Sequence, residues 1–352
     1  MYGEIPVIIV SFRNSRDVND CIAAVAKLTR ERKLALFICE NGGADAFNDL
    51  VAVLTGPDGA CDPRSVPVAL TGPRFVRTAR LQLRNVDPLK AVWVHVGEAR
   101  ENLGYAGGVN AYLEPLLATS EWPGVWILNP DTEPEPGALK ELVEHSEKHN
   151  RDMVSSRQRP RDEPDIILGR GLAWRKWRAA TRSVDSGVAA TSCPPASEIE
   201  CRLDSPSGAS MYVTRSCIER VGLMDERYFL YFEDLDWGLR AKRQGKIGYA
   251  HSSVVVHDGG TTIGGGPSRR GNSALAVYLE FRNRVLFTRN HFPKWVAWTV
   301  LMEIVEIMEY ARIGSFHNIS AAFRGAAAGL MGRTGRPDHI MRSHRLPQNG
   351  RL

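Results

Sequence analysis

A carboxylate stands directly after a buried strand pattern near the middle of the chain. Val125 to Leu128 reads as a strand, and Asn129, Pro130 and Asp131 follow it. A carboxylate at such a strand end is rigidly placed and open to solvent, which suits a divalent cation that keeps several waters and bridges phosphates. The alternative is a turn that caps the helix predicted at 137–145. The residues alone leave both interpretations open.

A second group of acids, Glu233, Asp234 and Asp236, precedes a run of good helix formers at 237–244. Acids at a helix N-terminus are stabilised by the helix dipole, so charge capping is one interpretation. The aromatic run 228–232 stands just ahead of them and would exclude water. Dry surroundings raise the basicity of a carboxylate.

Gly104, Gly107 and Gly108 form a glycine-rich stretch that allows close backbone approach to a ligand or, alternatively, tight helix packing. Neither GxGxxG nor GK[ST] is present, which excludes a dinucleotide fingerprint and a P-loop.

Alternating strand and helix patterns over the first 150 residues must position these groups. Strands are predicted at 5–10, 34–39, 92–96 and 125–128, and helices at 18–28, 106–117 and 137–145. This alternation predicts parallel strands with helices on both faces and a ligand beyond the carboxyl ends of the strands. The segments that follow those ends are 11–14, 40–43, 101–110 and 129–131.

The remaining chain is less regular. Residues 55–88 and 157–205 read as loop-rich excursions, followed by helices near 215–221 and 234–244 and a strand at 254–256. The glycine cluster at 259–266 is expected to be mobile. Three helical segments complete the chain.

Composition places the chain among globular proteins with a sizeable core, because 43% of its 352 residues are hydrophobic and 24% are charged. Six cysteines without a CxxC pair predict neither a zinc site nor a disulfide framework. The N-terminus lacks the features of a secretory signal, and no stretch of about 18 residues is free of charge. A cytoplasmic location is therefore expected.

Four patterns in order carry a resemblance to a known family. They are VIIVSFRN (7–14), ICENGG (38–43), ENLGYAGGVN (101–110) and ILNPDT (127–132), with 207–245 and VVVHDGG (254–260) downstream. Over about 5–293 the chain resembles the family 2 glycosyltransferases, and more narrowly their bacterial rhamnosyl- and galactofuranosyltransferase-like branch. The resemblance implies an α/β fold of the GT-A type, a Rossmann-like mixed sheet flanked by helices. Residues 1–293 would form the catalytic domain, with a nucleotide-binding half (about 1–150) and an acceptor-binding half (about 151–293), and 294–352 a helical, basic extension.

The resemblance also assigns a metal site and a base. It implies that Asp131 and His257 hold Mg²⁺ or Mn²⁺, with Asn129 in place of the first acid of the usual DxD motif; His251 is the competing histidine. Asp234 would be the general base toward the acceptor hydroxyl. Glu233, Asp236 and Trp237 would bind the acceptor, with a structural function as the alternative for Asp236.

The donor contacts implied by the resemblance follow the strand ends. They are Ser11, Phe12, Asn14, Glu40, Asn41, Asn102, Gly104, Gly107, Asn110 and Asn129. Glu40 would accept from the ring N–H of the base. Most relatives carry Asp at this position, so both UDP and dTDP sugars are kept as donors.

The implied function is an inverting, metal-dependent transfer of a rhamnose-like or other hexose to a hydroxyl of a glycan or glycolipid in cell-surface polysaccharide synthesis. A nucleotidyltransferase that makes sugar nucleotides is one alternative, but IPVIIVSFRN lacks the glycine-rich loop it would need. A non-catalytic sugar-nucleotide-binding relative is the other. Such a protein would be expected to lose Asp131, Asp234 or His257, which are all present.

The C-terminal quarter is basic and partly apolar. From Ser268 onward there are 13 basic and 5 acidic residues, a net of +8 against −3 for the preceding chain. The helical segment 295–311 is apolar nearly all round and must be buried on the catalytic domain, in a homodimer or on a membrane. The arginine-rich tail either binds anionic headgroups, at the inner face of the cytoplasmic membrane, or is solvated. No recognition motif supports nucleic acid as a partner.

Overall fold

The computed structural model describes residues 3–29, 32–62, 73–84, 91–119, 121–257 and 271–341. The strands are β1 Ile5–Ser11, β2 Leu34–Glu40, β3 Cys61–Asp62, β4 Phe75–Leu83, β5 Trp93–Ala99, β6 Gly124–Leu128, β7 Thr132–Pro134, β8 Met153–Arg159, β9 Leu172–Arg175, β10 Ala180–Ser183, β11 Ser210–Thr214 and β12 Ile247–His257. The helices are α1 Ser15–Ala26, α2 Ala44–Thr55, α3 Gly104–Thr119, α4 Ala138–His149, α5 Ala196–Arg202, α6 Arg215–Val221, α7 Glu233–Gln244, α8 Ala274–His291, α9 Val296–Arg312, α10 Phe316–Leu330 and α11 Asp338–Met341.

Ten of these strands form one mixed sheet in the order β3-β4-β5-β2-β1-β6-β11-β8-β12-β7. Every residue of β1 and of β2 is buried, as expected for continuous apolar runs at the centre of a parallel sheet. β5, β2, β1 and β6 are parallel, and β11 runs antiparallel between β6 and β8. β12 is parallel to β8, so the carboxyl end of β12 lies at the same edge as those of β1, β2 and β6.

Helices cover both faces of the sheet. α1, α2 and α4 contribute to one buried apolar cluster with β1 and β2, and α3, α5, α6 and α7 contribute to a second cluster on the other face. Two-sided coverage explains why the central strands contain almost no polar residues.

The sheet is strongly bent between β6 and β7. The four-residue step from Leu128 to Thr132 spans at most about 14 Å, whereas four strand spacings across a flat sheet would need about 19 Å. β12 has a register shift between Ala250 and Val254, and its last three residues pair antiparallel with β7. The bulge bends the end of β12 back toward β6, and β7 contacts α1 there, with Cys21 Sγ 3.7 Å from Thr132 Oγ1.

The chain forms two compact units. The first comprises Met1–Arg175, Ala180–Asp225 and Glu233–Gly259, and the second comprises Lys176–Ala179, Glu226–Phe232 and Gly260–Leu352. In the second unit α10 packs closely along α8. The approach is so close that a Cβ on Gly325 would come within 2.4 Å of the Tyr278 carbonyl oxygen. α8 thus belongs with the C-terminal helices in the second unit. The expected domain boundary at 293 lies after α8 and would place this helix in the catalytic domain.

Two segments that the sequence predicts to be loop-rich contain regular secondary structure. Residues 55–88 contain β3 and the nine-residue strand β4, and 157–205 contains β9, β10 and α5, so neither segment is merely loop. β4 lacks clean alternation because it carries four partly or fully exposed polar residues, which masks its pattern. The glycine cluster at 259–266 and Arg342, Arg345 and Arg351 lie outside the described residues.

The six cysteines are free thiols. Within the described ranges, no helix combines the length and the apolar character that crossing a bilayer requires.

Candidate active site

The polar groups that the sequence singles out meet at one edge of the sheet. Ser11 ends β1 and pairs in register with Glu40 at the end of β2. Asn129 follows β6, and its N–H donates to the Ala209 carbonyl at the start of β11. His257 ends β12 at this same edge. The fold therefore collects residues from 11 to 257 at the carboxyl ends of the parallel strands.

Asp131 and His257 lie side by side because β7 pairs with the end of β12, with Thr132 opposite His257. His257 Nε2 is 3.4 Å from Asp131 Oδ1, and both side chains are nearly buried, at 12% and 11% exposure. The turn before β7 is fixed by Thr132 Oγ1, which donates to the Asn129 carbonyl at 2.6 Å.

The donor set at this pair fits a divalent cation. Both ring nitrogens of His257 are buried and form no hydrogen bond with any described residue. Buried polar nitrogens normally have partners, so the free nitrogens of this imidazole could serve as ligands to a metal. The described residues contain no group of three or more His, Cys, Asp or Glu side chains that could hold a metal. Asp131 and His257 would therefore supply two protein ligands and leave the other positions to diphosphate oxygens and water.

Two competing interpretations can now be compared with the structure. Asp131 does not cap α4, because the N-cap of that helix is Gly137, with no side-chain cap. His251 lies on β12 but is held by Arg170 and Tyr249, whose Nη1 and hydroxyl are 3.1 and 3.3 Å from its Nδ1.

Asp234, in the first turn of α7, has a carboxylate that is oriented by backbone donors. Gly208 N donates to Oδ2 at 2.9 Å and Leu235 N donates to Oδ1 at 2.7 Å. Ser205 Oγ donates to the Asp234 carbonyl, which fixes the helix start. Burial raises the pKa of Asp234, and these backbone hydrogen bonds oppose the rise. The side chain is still partly exposed, so a substrate hydroxyl can reach it.

Tyr105 lies near this carboxylate, since both contact Gly208. Its hydroxyl donates to the Gly208 carbonyl at 2.6 Å. Burial raises its pKa well above 10, and the negative charges of Asp234, Glu233 and Asp131 raise it further. The phenol therefore stays protonated, and it lies within the field of all three carboxylates. The sequence offered Tyr105 only as a member of the glycine-rich pattern, so its place beside Asp234 was missed.

The other acids of α7 face inward. Glu233 is 4% exposed. Asp236 accepts from Arg240 Nε at 2.7 Å, while Arg240 also donates to the carbonyls of Val221 and Leu223. Trp237 is fully buried and its Nε1 donates to the Gly222 carbonyl. In this structure Asp236 and Trp237 hold α7 in place and present no surface to an acceptor.

The loop that leads into Glu233 is strained. Phe229, Tyr231 and Phe232 adopt positive φ angles of 66°, 68° and 76°, a region that bulky residues rarely occupy. Within the second unit, Asn283 Nδ2 donates to the carbonyls of Tyr228, Leu230 and Tyr231 at 2.7 to 2.9 Å. Asn283 is fully buried, and Arg282 Nε donates to its Oδ1. No motif in the sequence pointed to Asn283.

Glu40 organises the ends of β1 and β2, where donor contacts are predicted. Its carboxylate accepts from Ser11 Oγ at 2.5 Å, from Gly42 N at 2.6 Å and from Arg13 N at 3.2 Å. Glu40 is fully buried, so its side chain faces these loops rather than the solvent. A Cβ on Gly42 would come within 2.7 Å of Glu40 Oε1, and only glycine leaves room for this contact. Asn14 Oδ1 also accepts from Ser11 Oγ and from Phe12 N, and both Phe12 and Asn14 are partly exposed.

The start of α3 completes this side of the site. Asn102 Oδ1 caps the helix by accepting from Gly104 N, and Asn41 bonds the Gly104 carbonyl and Leu103 N. Gly107 is buried in the first turns of the helix. Asn110 is 1% exposed, donates to the Met224 carbonyl and accepts from Met224 N, so it joins α3 to another backbone segment inside the protein.

Comparisons with known proteins identify the class of this chain. No family model matches it. It is 25% identical over 255 residues to Agl10, a hexosyltransferase of low-salt glycan biosynthesis from Haloferax volcanii, covering 70% of this chain and 79% of the relative. It is 28% identical over 228 residues to an N-acetylglucosaminyl-diphospho-decaprenol L-rhamnosyltransferase from Mycobacterium tuberculosis, covering 56% of this chain and 69% of the relative.

A solved structure of GalNAc-T7 with UDP, GalNAc and Mn²⁺ shares the fold, with a TM-score of 0.51 at 12% identity. The match covers 83% of this chain and 49% of that one. The fold is thus that of the GT-A glycosyltransferases, as expected. The chain is a glycosyltransferase, and its resemblance to family 2 enzymes is confirmed by the two relatives.

Proposed function

We propose that this glycosyltransferase moves a hexose from a UDP or dTDP donor to a hydroxyl of a glycan or lipid-linked glycan, with inversion and with help from a divalent cation. The observation that carries the proposal is the placement of Asp234. Its carboxylate is fixed by the backbone N–H groups of Gly208 and Leu235, the residue is partly exposed, and the Tyr105 hydroxyl donates to the carbonyl of the same Gly208. The rhamnosyltransferase relative, whose name specifies a decaprenol diphosphate acceptor, supports a lipid-linked acceptor.

In the proposed reaction Asp234 removes the proton of the acceptor hydroxyl as its oxygen attacks the anomeric carbon. A raised pKa favours this function, because a more basic carboxylate takes the proton of the hydroxyl more readily. The nucleoside diphosphate leaves from the opposite face, so the configuration inverts in a single displacement. No covalent enzyme intermediate is required.

Asp131 and His257 would hold Mg²⁺ or Mn²⁺, which supplies positive charge against the charge growing on the diphosphate leaving group. Phe12, Asn14, Asn102 and Asn129 are partly exposed along the strand edge and would contact the donor. The buried Glu40 would reach the ring N–H of the base only if the loop after β1 shifts on binding. The Glu40 carboxylate already accepts three hydrogen bonds, which leaves one of its roughly four lone-pair directions for the base. Asn110, Asp236 and Trp237 are not part of the proposed substrate contacts because they are buried and bonded internally.

The deciding experiment compares Asp234→Asn with the parent in a transfer assay. Donors would be UDP-, dTDP- and GDP-sugars with Mg²⁺ or Mn²⁺, and the acceptor a lipid-linked glycan. Losing a general base typically costs about 10² to 10⁴ in rate, whereas an amide keeps the size of the side chain. Donor affinity, measured by calorimetry, should hold because the base faces the acceptor.

Asp62→Asn is the matched control, since Asp62 is a half-exposed carboxylate on β3 that pairs with Arg84. It should transfer at the parental rate. If Asp234→Asn transfers within a few fold of the parent, the proposed mechanism is wrong.

A further inference from the structure

An exposed cluster of aromatic rings lies in the second unit, outside the candidate active site. Trp177 is 73% exposed in the turn between β9 and β10. Its ring meets those of Trp295 and Trp298 edge-on, with centroids 4.7 and 6.3 Å away. Trp298 Nε1 donates to the Trp177 carbonyl at 3.1 Å. The exposed indole is thus held in a fixed position by the start of α9.

Positive charge surrounds this aromatic cluster. Lys176 and Arg178 flank Trp177 and are exposed, and Lys294 precedes Trp295 and is exposed as well. Lys176 Nζ lies 4.8 Å from the centre of the Phe292 ring. Across the described part of the chain, no ion pair involves Lys176, Arg178 or Lys294, so their charge is open to an external partner.

α9 continues the surface with an outward apolar face. Leu301, Val305 and Met308 are 47%, 41% and 54% exposed, and they follow Trp298 at spacings of three, seven and ten residues. This spacing puts all four on one side of the helix. Two of the three carboxylates of α9 lie away from this face, because Glu303 is fully buried and Glu306 accepts from Arg284, while Glu309 is exposed. A helix that buries one carboxylate and exposes a row of large apolar residues differs from an ordinary surface helix, whose apolar side faces the protein.

We propose that Trp177, Trp295 and Trp298, together with Lys176, Arg178 and the outward face of α9, form a docking surface for a bilayer that contains anionic lipid. Tryptophan is favoured at the boundary between hydrocarbon and water because its ring is apolar and its N–H is polar. Lysine and arginine beside it attract anionic headgroups, and an apolar helix face can insert below them. The open positive charge favours this partner over a second copy of the chain, which would bring the same charge to the interface.

The inference deepens the proposed function, because a protein that docks on a bilayer can meet a lipid-linked acceptor there. Its test does not depend on transfer, however, since vesicle binding needs neither donor nor acceptor. The two proposals can therefore fail separately.

The experiment is flotation of the full chain with vesicles of phosphatidylcholine alone or mixed with phosphatidylglycerol. The parent should float with the mixed vesicles, float weakly with phosphatidylcholine alone, and be released by high salt. The triple variant Lys176→Ser/Trp177→Ser/Arg178→Ser should bind the mixed vesicles at least about tenfold more weakly than the parent does. Leu301→Gln/Met308→Gln should weaken binding with less sensitivity to salt, because it removes apolar contact rather than charge.

The matched control is Val76→Ser/Lys140→Ser, which removes one exposed apolar residue and one exposed charge from the first unit. It should float like the parent. Donor binding by each variant, measured by calorimetry, verifies that the catalytic unit is intact. Loss of flotation with donor binding retained supports the docking surface, whether or not the parent transfers sugar.

Three results would overturn the inference. The first is that the parent does not bind the mixed vesicles. The second is that the triple variant and the control float equally. In the third, light scattering shows a dimeric parent and a monomeric Leu301→Gln/Met308→Gln variant with undiminished flotation, which would make this face an interface between two copies.

Discussion

His257 and His251 lie six residues apart on β12 and differ in their surroundings. His251 is bonded to Arg170 and Tyr249, whereas both nitrogens of His257 lack a hydrogen bond among the described residues, and its Nε2 lies 3.4 Å from Asp131 Oδ1. We expect His257→Ala to weaken Mn²⁺-dependent donor binding at least about tenfold, as loss of a metal-site residue typically does. Calorimetry with and without chelator measures this.

His251→Ala is the internal control for that measurement. It should lower the melting temperature, because it removes a partner of the buried Arg170, yet keep the Mn²⁺ dependence of donor binding. Equal metal dependence in both variants, or a parent whose donor binding ignores chelator, would contradict the metal assignment.

A second residue-scale prediction concerns Asn283. It holds three carbonyls of a loop with three strained φ angles, so Asn283→Ala leaves buried carbonyls without that donor. The expected loss is about 1–3 kcal/mol in the free energy of unfolding, measured by denaturant titration. Asn290→Ala, which removes only an exposed amide bonded to the Tyr228 hydroxyl, should cost less than about 0.5 kcal/mol. Similar losses for the two variants would show that the loop does not depend on Asn283.

At the scale of elements, α9 carries a buried carboxyl group with an unusual titration. Burial raises the pKa of Glu303 to about 8, with Arg284 opposing and Glu306 and Glu280 adding to the rise. Neither carboxylate oxygen has a hydrogen-bond partner among the described residues. Between its ordinary value of 4.5 and about 8, the folded state keeps a proton that the unfolded state loses. Stability should therefore fall as pH rises through this window, by about 1.4 kcal/mol for each pH unit.

Glu303→Gln has no such proton, so its stability should be flatter between pH 5 and 8 and exceed that of the parent above about pH 8. Melting curves across this range measure the difference. Glu309→Gln, an exposed position on the same helix, should keep the parental pH dependence. A parent with constant stability across the window would contradict the buried, protonated Glu303.

Elements with strong patterns were predictable from the sequence, and elements defined by distant partners were not. β1, β2, β6, α3 and α4 match their predicted ranges within a few residues, because continuous apolar runs and helical periodicity are local signals. β4 and β9 lie in segments that were read as loop-rich. β4 mixes four polar residues with five apolar ones and β9 has only four residues, so their pairing with β5 and β10 defines them better than a local pattern does. Asp131 could be proposed from the sequence because it follows a strand, and its function stays a prediction. The contacts of Asp234 with Gly208 and of Asn283 with the loop before α7 depend on tertiary structure alone.

For the whole molecule, the interleaving of the two compact units matters for any truncation. Segments 176–179 and 226–232 belong to the second unit although their neighbours in sequence belong to the first. Removing 313–352 would also strip α10 from α8, where Gly329 lies against the Arg282 carbonyl. Point substitutions on exposed turns therefore test the basic and apolar surfaces of the second unit better than deletions do.

The position of β11 also constrains how the protein is made on the ribosome. β8 precedes β11 in sequence, yet β11 lies between β6 and β8 in the sheet. About 50 further residues must be synthesised after β8 before its partner strand β11 is available. More than a hundred residues separate Asp131 from His257. At about 5–20 residues per second, the delay between Asp131 and His257 lasts roughly 6–25 s. During synthesis β1, β2, β5 and β6 can assemble first, while the pair proposed to hold the metal is completed only when most of the chain has emerged.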